Sequence, residues 1–160
     1  MSRSRARPGL FFVSLLIALL LGLLPLPAGL AVFKPYWVAL VLIYWLLEAP
    51  DRVGLGMAFV IGLVADLVYG TLFGEQAMRL IIIAFLVLRF RARLRFFPLS
   101  QQALAVLGLL LNDRVVSIGI RAFGGEGLPP ASIWLAPLVG MLLWPWLFLL
   151  LDRVSTGLRK

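Results

Sequence analysis

The sequence predicts an all-α, polytopic membrane protein with about six transmembrane helices, and three observations support this. Of its 160 residues, 62% are hydrophobic, and the mean hydropathy is +1.05. A soluble domain is typically closer to half apolar, so lipid is the solvent that fits this composition. The apolar residues also form long runs that short basic clusters separate. The length fits one integral membrane domain over residues 1–160.

Six apolar segments approach the ~20 residues that cross a bilayer. They are residues 9–28, 36–49, 53–73, 76–90, 99–120 and 131–151. Prolines mark the joints, where a missing N–H and a fixed φ cost least. These prolines are Pro25, Pro27, Pro35, Pro50, Pro98 and the pair Pro129-Pro130. The first segment predicts a retained helix, because it is longer than a signal-peptide core and no clear A-x-A site follows.

Two of the later segments have individual features. The fourth holds an uncharged stretch only from 80 to 88, between Arg79 and Arg89. These arginines either snorkel to opposite interfaces, or the segment is re-entrant or buried. The sixth contains Pro145, which predicts a kink because it frees the carbonyl of Met141.

The placement of Lys and Arg predicts the orientation. The formal net charge is +8, and most basic residues fall in segments that share one side if an even number of spans is present. Both termini are then cytoplasmic, and nucleic acid is not an expected partner. A basic cluster on that side either sets topology alone or contacts anionic lipid or an acidic partner. Its members are Arg89, Arg91, Arg93 and Arg95.

The third segment carries small residues at every fourth position, around one acidic residue. These positions are Gly54, Ala58, Gly62, Asp66, Gly70 and Gly74. Small residues at this spacing allow a second helix to approach closely, so the stripe predicts helix packing or partner binding. A carboxylate within a membrane span is energetically costly, so its presence suggests a functional or structural role. For Asp66 the alternatives are a structural hydrogen bond, a proton relay, or an ion or substrate ligand.

The fifth segment contains the polar run Asn112, Asp113 and Arg114. At about 1.5 Å per residue, Asp66, Asp113 and Arg114 lie at similar depth in the outer half of the membrane. One hypothesis pairs Arg114 with Asp66 across a helix interface. In the alternative, Arg114 snorkels outward and Asp113 meets water.

The residues that most enzymes use are missing. Cysteine and histidine are both absent, which excludes disulfides, thiol nucleophiles, thiolate or imidazole metal sites and a histidine base. P-loop, G-x-S-x-G and HExxH motifs are also absent. The sequence therefore predicts no enzyme, no cofactor and no metal site.

Three parts of the chain together resemble one family. The first part is VFKPYW at 32–37, followed by Tyr44-Trp45 and by PDRV at 50–53. The second is GLVADLVYGTLFG at 62–74, and the third is LWPWLFLL at 143–150. In this order, and over nearly the whole chain, they resemble the rod shape-determining protein MreD family.

This resemblance implies a membrane scaffold of the bacterial elongation machinery, located in the inner membrane. Such a protein supports rod shape and lateral peptidoglycan synthesis by associating with MreC. MreB, RodA and a class B penicillin-binding protein are further candidate partners. The family's fold is similar to the substrate-binding subunits of energy-coupling-factor transporters. If the stripe is a docking surface, Gly62→Leu should weaken partner binding.

The alternative function is a small-molecule-binding membrane subunit of a transporter. It would need a polar pocket. Such a pocket could be lined on the outer side by Asp66, Asn112, Asp113, Arg114 and the glycine-rich loop after the fifth segment.

Overall fold

The computed structural model describes residues 8–25, 27, 30, 33–48, 53–70, 74–125, 127 and 134–157. This part of the chain forms six α-helices and no strand, which confirms the all-α prediction. The helices are α1 (Pro8–Leu23), α2 (Trp37–Glu48), α3 (Leu55–Tyr69), α4 (Glu75–Leu94), α5 (Leu99–Phe123) and α6 (Leu135–Gly157). One helix falls on each predicted segment, and α4 and α5 run further than predicted. Some of the predicted joints lie outside the described residues, namely Pro50, the pair Pro129-Pro130 and most of the residues between α5 and α6.

Successive helices alternate in direction, as two side chain-to-backbone hydrogen bonds show. Arg91 Nε, near the end of α4, donates to the carbonyl of Leu47 at the end of α2 (3.1 Å). At the opposite end, the Tyr69 hydroxyl on α3 donates to the carbonyl of Leu19 on α1 (3.0 Å). The bundle therefore has an arginine end, where α1 begins and α4 ends, and a cleft end, where α1 ends and α4 begins.

Helix α2 forms the centre of the core. Every side chain from Val38 to Leu47 is buried, and the helix packs against α1, α4 and α6. With 12 residues it is only about 18 Å long, much less than the ~30 Å hydrocarbon core of a bilayer. Trp45 is buried, and its Nε1 donates to Ser14 Oγ on α1 (2.9 Å). Trp45 therefore packs between helices.

Glycines let neighbouring helices come close at two places. A Cβ on Gly62 would lie 2.6 Å from the backbone nitrogen of Ala77, so α3 and α4 are in backbone contact there. A Cβ on Gly140 of α6 would lie 2.5 Å from a methyl of Leu110 on α5. The contact at Gly62 is with backbone and leaves no room for a side chain, so the α3–α4 pair depends on glycine, whereas the contact at Gly140 is with the end of a leucine side chain, which can move.

The outer faces of the bundle are apolar. Two helical stretches are long and apolar enough to cross a membrane, Leu99–Phe123 and Leu135–Val154, and three shorter helices are also apolar. Large hydrophobic side chains on these helices are more than half exposed, as in Phe12, Leu16, Leu20, Val60, Leu67, Leu104, Val115, Leu142 and Leu150. Exposed apolar surface of this extent is the kind that lipid or a partner helix covers.

Helix α6 continues through Pro145. On one side of the proline Trp144 is fully buried, and on the other Trp146 is 74% exposed. The indole Nε1 of Trp144 donates to Gln102 Oε1 on α5 (3.3 Å). Pro145 thus lies between a residue of the core and a residue of the outer face, and the kink stays a prediction.

Candidate functional site

The carboxylate of Asp66 caps the helix that follows it. Asp66 is buried near the end of α3, and its two oxygens accept hydrogen bonds from the backbone N–H groups of Gly74 (2.8 Å) and Gln76 (2.7 Å). These amides begin α4, and the first N–H groups of a helix have no partner within the helix. A negative charge also suits the positive end of the helix dipole. Asp66 therefore makes the structural hydrogen bonds that one of its three alternatives predicts, and these bonds tie the end of α3 to the start of α4.

A buried ion pair joins α4 to α5. Arg79 Nε and Nη2 donate to the two carboxylate oxygens of Asp113, at 2.9 Å and 2.7 Å. Arg79 is 6% exposed and Asp113 is 2% exposed. The guanidinium also lies over the ring of Tyr36, 4.5 Å from its centroid. A bidentate pair of this kind fixes both distance and angle between two helices.

This geometry corrects two expectations about the charged residues. Arg79 does not snorkel to an interface, because Asp113 holds it inside the bundle. The Arg114–Asp66 pair is not formed: the ion pairs between described residues are Arg79–Asp113 and Arg121–Glu75. Asp66 instead accepts from backbone amides.

The small-residue stripe has several roles. Ala58 and Gly62 are buried on α3, with Gly62 against the backbone of α4. Gly54 precedes α3, and a Cβ there would meet nothing within 4 Å. Gly70 and Gly74 lie between the helices and have positive φ, 67° and 102°, which glycine adopts at little cost. Because the chain's own α4 occupies the face at Gly62, helix packing is the role observed there, and partner binding by the stripe stays a prediction.

The basic cluster lies at the arginine end of the bundle. Arg89, Arg93 and Arg95 are exposed, whereas Arg91 is half-buried and bonds to the end of α2. Three of the four arginines therefore present their charge to the surroundings, and the fourth helps to hold the bundle together.

A cleft of about 310 Å³ opens at the other end. Cationic side chains line it, together with aromatic and amide groups. The lining includes Lys34, Tyr36, Trp37, Tyr69, Gln76, Arg79, Arg114 and Arg121. Of the residues predicted for an outer pocket, the cleft lining includes Arg114 but not Asn112, Asp113 or Asp66. Asn112 is half-buried on α5.

Sequence reasoning missed Lys34, Tyr36, Gln76 and Arg121 as parts of one site. Each lies at the end of a predicted segment that the alternating topology brings to the same side. A signal was available, since the side predicted to be outer holds Lys34, Arg79 and Arg121 on three separate segments. Their convergence depends on which helices are neighbours, and the sequence does not give that.

The comparisons with known proteins agree on one family. The family model for MreD, rod shape-determining protein, matches residues 3–154. The rod shape-determining protein MreD of Haemophilus influenzae is 33% identical over 144 residues, covering 90% of this chain and 87% of that protein. No solved structure matches the chain significantly. The chain therefore belongs to the MreD family of rod shape-determining proteins.

Proposed function

We propose that this chain is a multi-pass scaffold subunit of the bacterial elongation machinery in the inner membrane. It supports rod shape and lateral peptidoglycan synthesis by holding MreC next to the other components, and it catalyses no reaction itself. Family membership is the observation that carries this proposal. The six helices are six spans, and both termini are cytoplasmic.

The distribution of polar groups supports a lateral docking role. Asp66 and the Arg79–Asp113 pair use their hydrogen-bonding capacity on the chain's own helices. The outer faces of the helices are left mostly apolar, which suits contact with lipid and with a partner's transmembrane helix. The proposed MreC-binding surface therefore lies on these exposed faces and not at Gly62.

The arginine end supports the proposed orientation. Its exposed arginines lie at the end of α4, and Lys/Arg residues favour the cytoplasmic side. Arg89, Arg93 and Arg95 would then face the cytoskeletal filament MreB and the anionic inner leaflet. Replacing all three by Gln should weaken association with MreB and leave association with MreC intact.

A pull-down from a rod-shaped host tests the proposal. The tagged full chain is solubilised in a mild detergent, and the co-purifying proteins are identified by mass spectrometry. MreC should be recovered in stoichiometric amounts with the wild-type chain. Recovery of a transporter ATPase module instead, with no MreC, would favour the alternative of a small-molecule-binding transporter subunit.

A further inference from the structure

The charges around the cleft are distributed unevenly. Its lining includes Lys34, Arg79, Arg114 and Arg121, and no carboxylate of the described residues belongs to it. Four cations from the α1–α2 connection, α4 and α5 thus converge on one cavity. Like charges at close range repel one another, so an arrangement of this kind is more stable with an anion between them.

The nearby carboxylates lie behind the wall of the cleft. Asp66, Glu75 and Asp113 are each at most 5% exposed. Asp66 caps α4, Asp113 holds Arg79, and Glu75 Oε1 lies 3.5 Å from Arg121 Nε. They fix the wall from inside and leave its cationic groups to face the cavity.

Two of the four cations have no carboxylate counter-ion among the described residues. Arg79 and Arg121 each have a carboxylate within 4.0 Å. Within the described ranges, no carboxylate lies that close to Lys34 or Arg114. Lys34 Nζ donates to the carbonyl of Leu24 at 3.3 Å, which leaves two of its three protons for another acceptor.

Two tyrosines of the wall are held in place by hydrogen bonds to other parts of the bundle. The Tyr36 hydroxyl donates to Gln76 Oε1, and the ring of Tyr36 lies under the guanidinium of Arg79. The Tyr69 hydroxyl is held by the carbonyl of Leu19 and closes the side formed by α1 and α3. Side chains held in this way position a ligand without a large loss of conformational entropy on binding.

We propose that this cleft binds a phosphate group, with Lys34 and Arg114 as its principal ligands. Arg and Lys are the residues that recognise phosphate oxygens, Arg through paired N–H groups and Lys as a point charge. The cleft opens where the helices end, a depth that both lipid headgroups and dissolved phosphate can reach. This binding activity is additional to the scaffold role and does not depend on the identity of the protein partners.

Two probes separate the sources of the phosphate. The purified full chain is reconstituted in phosphatidylcholine nanodiscs that contain a fraction of phosphatidylglycerol, and the retained lipid is counted by native mass spectrometry. In parallel, inorganic phosphate is titrated calorimetrically in pure phosphatidylcholine nanodiscs. Retention of phosphatidylglycerol with no response to inorganic phosphate assigns a lipid headgroup, and a response to inorganic phosphate assigns the free anion; both results support a phosphate site.

The variant Lys34→Gln/Arg114→Gln tests the ligands. It should weaken binding of the recognised probe by about tenfold or more, because charge-assisted hydrogen bonds are lost. Arg89→Gln/Arg93→Gln removes the same charge at the arginine end and should leave binding within about twofold of the wild type, since exposed charges that far away are screened. Arg114→Lys keeps the charge but loses the paired N–H groups, so it should bind more weakly than the wild type and more tightly than the Lys34→Gln/Arg114→Gln chain. An unchanged free energy of unfolding of the Lys34→Gln/Arg114→Gln chain controls for loss of the fold.

Three results would overturn the proposal. In the first, the wild-type chain binds neither probe more than it binds phosphatidylcholine. In the second, the Lys34→Gln/Arg114→Gln chain binds as well as the wild type. In the third, the variants at the two ends lose binding equally, which would show that total charge and not the cleft attracts the phosphate.

Discussion

Replacing Asp113 by Leu should destabilise the protein strongly. Leu branches at the same carbon as Asp and carries methyl groups in place of the carboxylate oxygens, so the change removes the acceptor of two hydrogen bonds from Arg79. Arg79 is 6% exposed, so water from the cleft that it lines can replace those bonds only in part. Breaking a buried pair by removing one partner costs about 3–5 kcal/mol. The cost comes mainly from the charge that stays buried without its counter-ion.

The double variant Arg79→Met/Asp113→Leu separates the pair from its surroundings. With both charges gone no uncompensated group remains, and replacing a whole buried ion pair by apolar residues is often neutral or stabilising. The double variant should therefore recover most of the stability that Asp113→Leu loses. In a double-mutant cycle this appears as a large coupling energy between the two positions.

The assay is reversible unfolding of the detergent-solubilised full chain in SDS, followed by tryptophan fluorescence. Arg93→Met, an exposed arginine on the same helix, is the matched control and should change the free energy of unfolding by no more than about 0.5 kcal/mol. A loss of under about 1 kcal/mol in Asp113→Leu, below the expected range, would refute the claim that this buried pair stabilises the bundle. The same claim would be refuted if Arg79→Met/Asp113→Leu were as unstable as Asp113→Leu.

Three further changes test other contacts by the same unfolding assay. Asp66→Ala should cost about 1–3 kcal/mol, because the amides of Gly74 and Gln76 lose their acceptor; no loss would mean that α4 needs no cap. Gly62→Leu should cost about 1–3 kcal/mol or more through overpacking against α4, whereas Gly108→Leu, with nothing within 4 Å, should not destabilise. Equal effects of these two leucines would contradict the close contact of α3 and α4. Arg91→Gln should cost about 1 kcal/mol, because the bond to the end of α2 is lost, and an unchanged midpoint would show that the bond is not formed in detergent.

The helices were largely predictable from the sequence, because hydrophobic runs and prolines act locally. Segment 36–49 and α2 (Trp37–Glu48) differ by one residue at each end. The predicted fourth segment ends at residue 90, four residues before the end of α4, because the arginines that follow interrupt the apolar stretch. Arginines can continue a helix at little cost, so charge marks the edge of lipid better than the end of a helix.

The partners of the charged residues were not predictable in the same way. Depth arguments placed Asp66, Asp113 and Arg114 at one level but could not say which helices touch. Arg79 lies at a similar level, and because it flanks a short apolar stretch, the sequence allows it either to snorkel to an interface or to lie in a buried or re-entrant segment. Whether Arg79 or Arg114 faces an acidic residue of another helix depends on helix rotation, to which hydropathy is insensitive when the helix is apolar on most faces.

The hairpin of α3 and α4 shows what the sequence could have revealed. Gly70 and Gly74 indicate a short connection between two helices, and Asp66 precedes it by about one turn. A carboxylate at that place reaches the first amides of the next helix. The same residue looks like a functional charge when the third segment is considered alone, and like a cap when two helices are considered together.

Depletion of the protein in its own rod-shaped host tests the scaffold role most directly. Cell shape is followed by microscopy while a second copy, expressed from an inducible promoter, supplies either the wild-type chain or Asp113→Leu. The scaffold role predicts that depleted cells become round, that the wild-type copy restores rods, and that the destabilised chain restores them poorly. Cells that stay rod-shaped and keep normal lateral wall synthesis after complete depletion would contradict it.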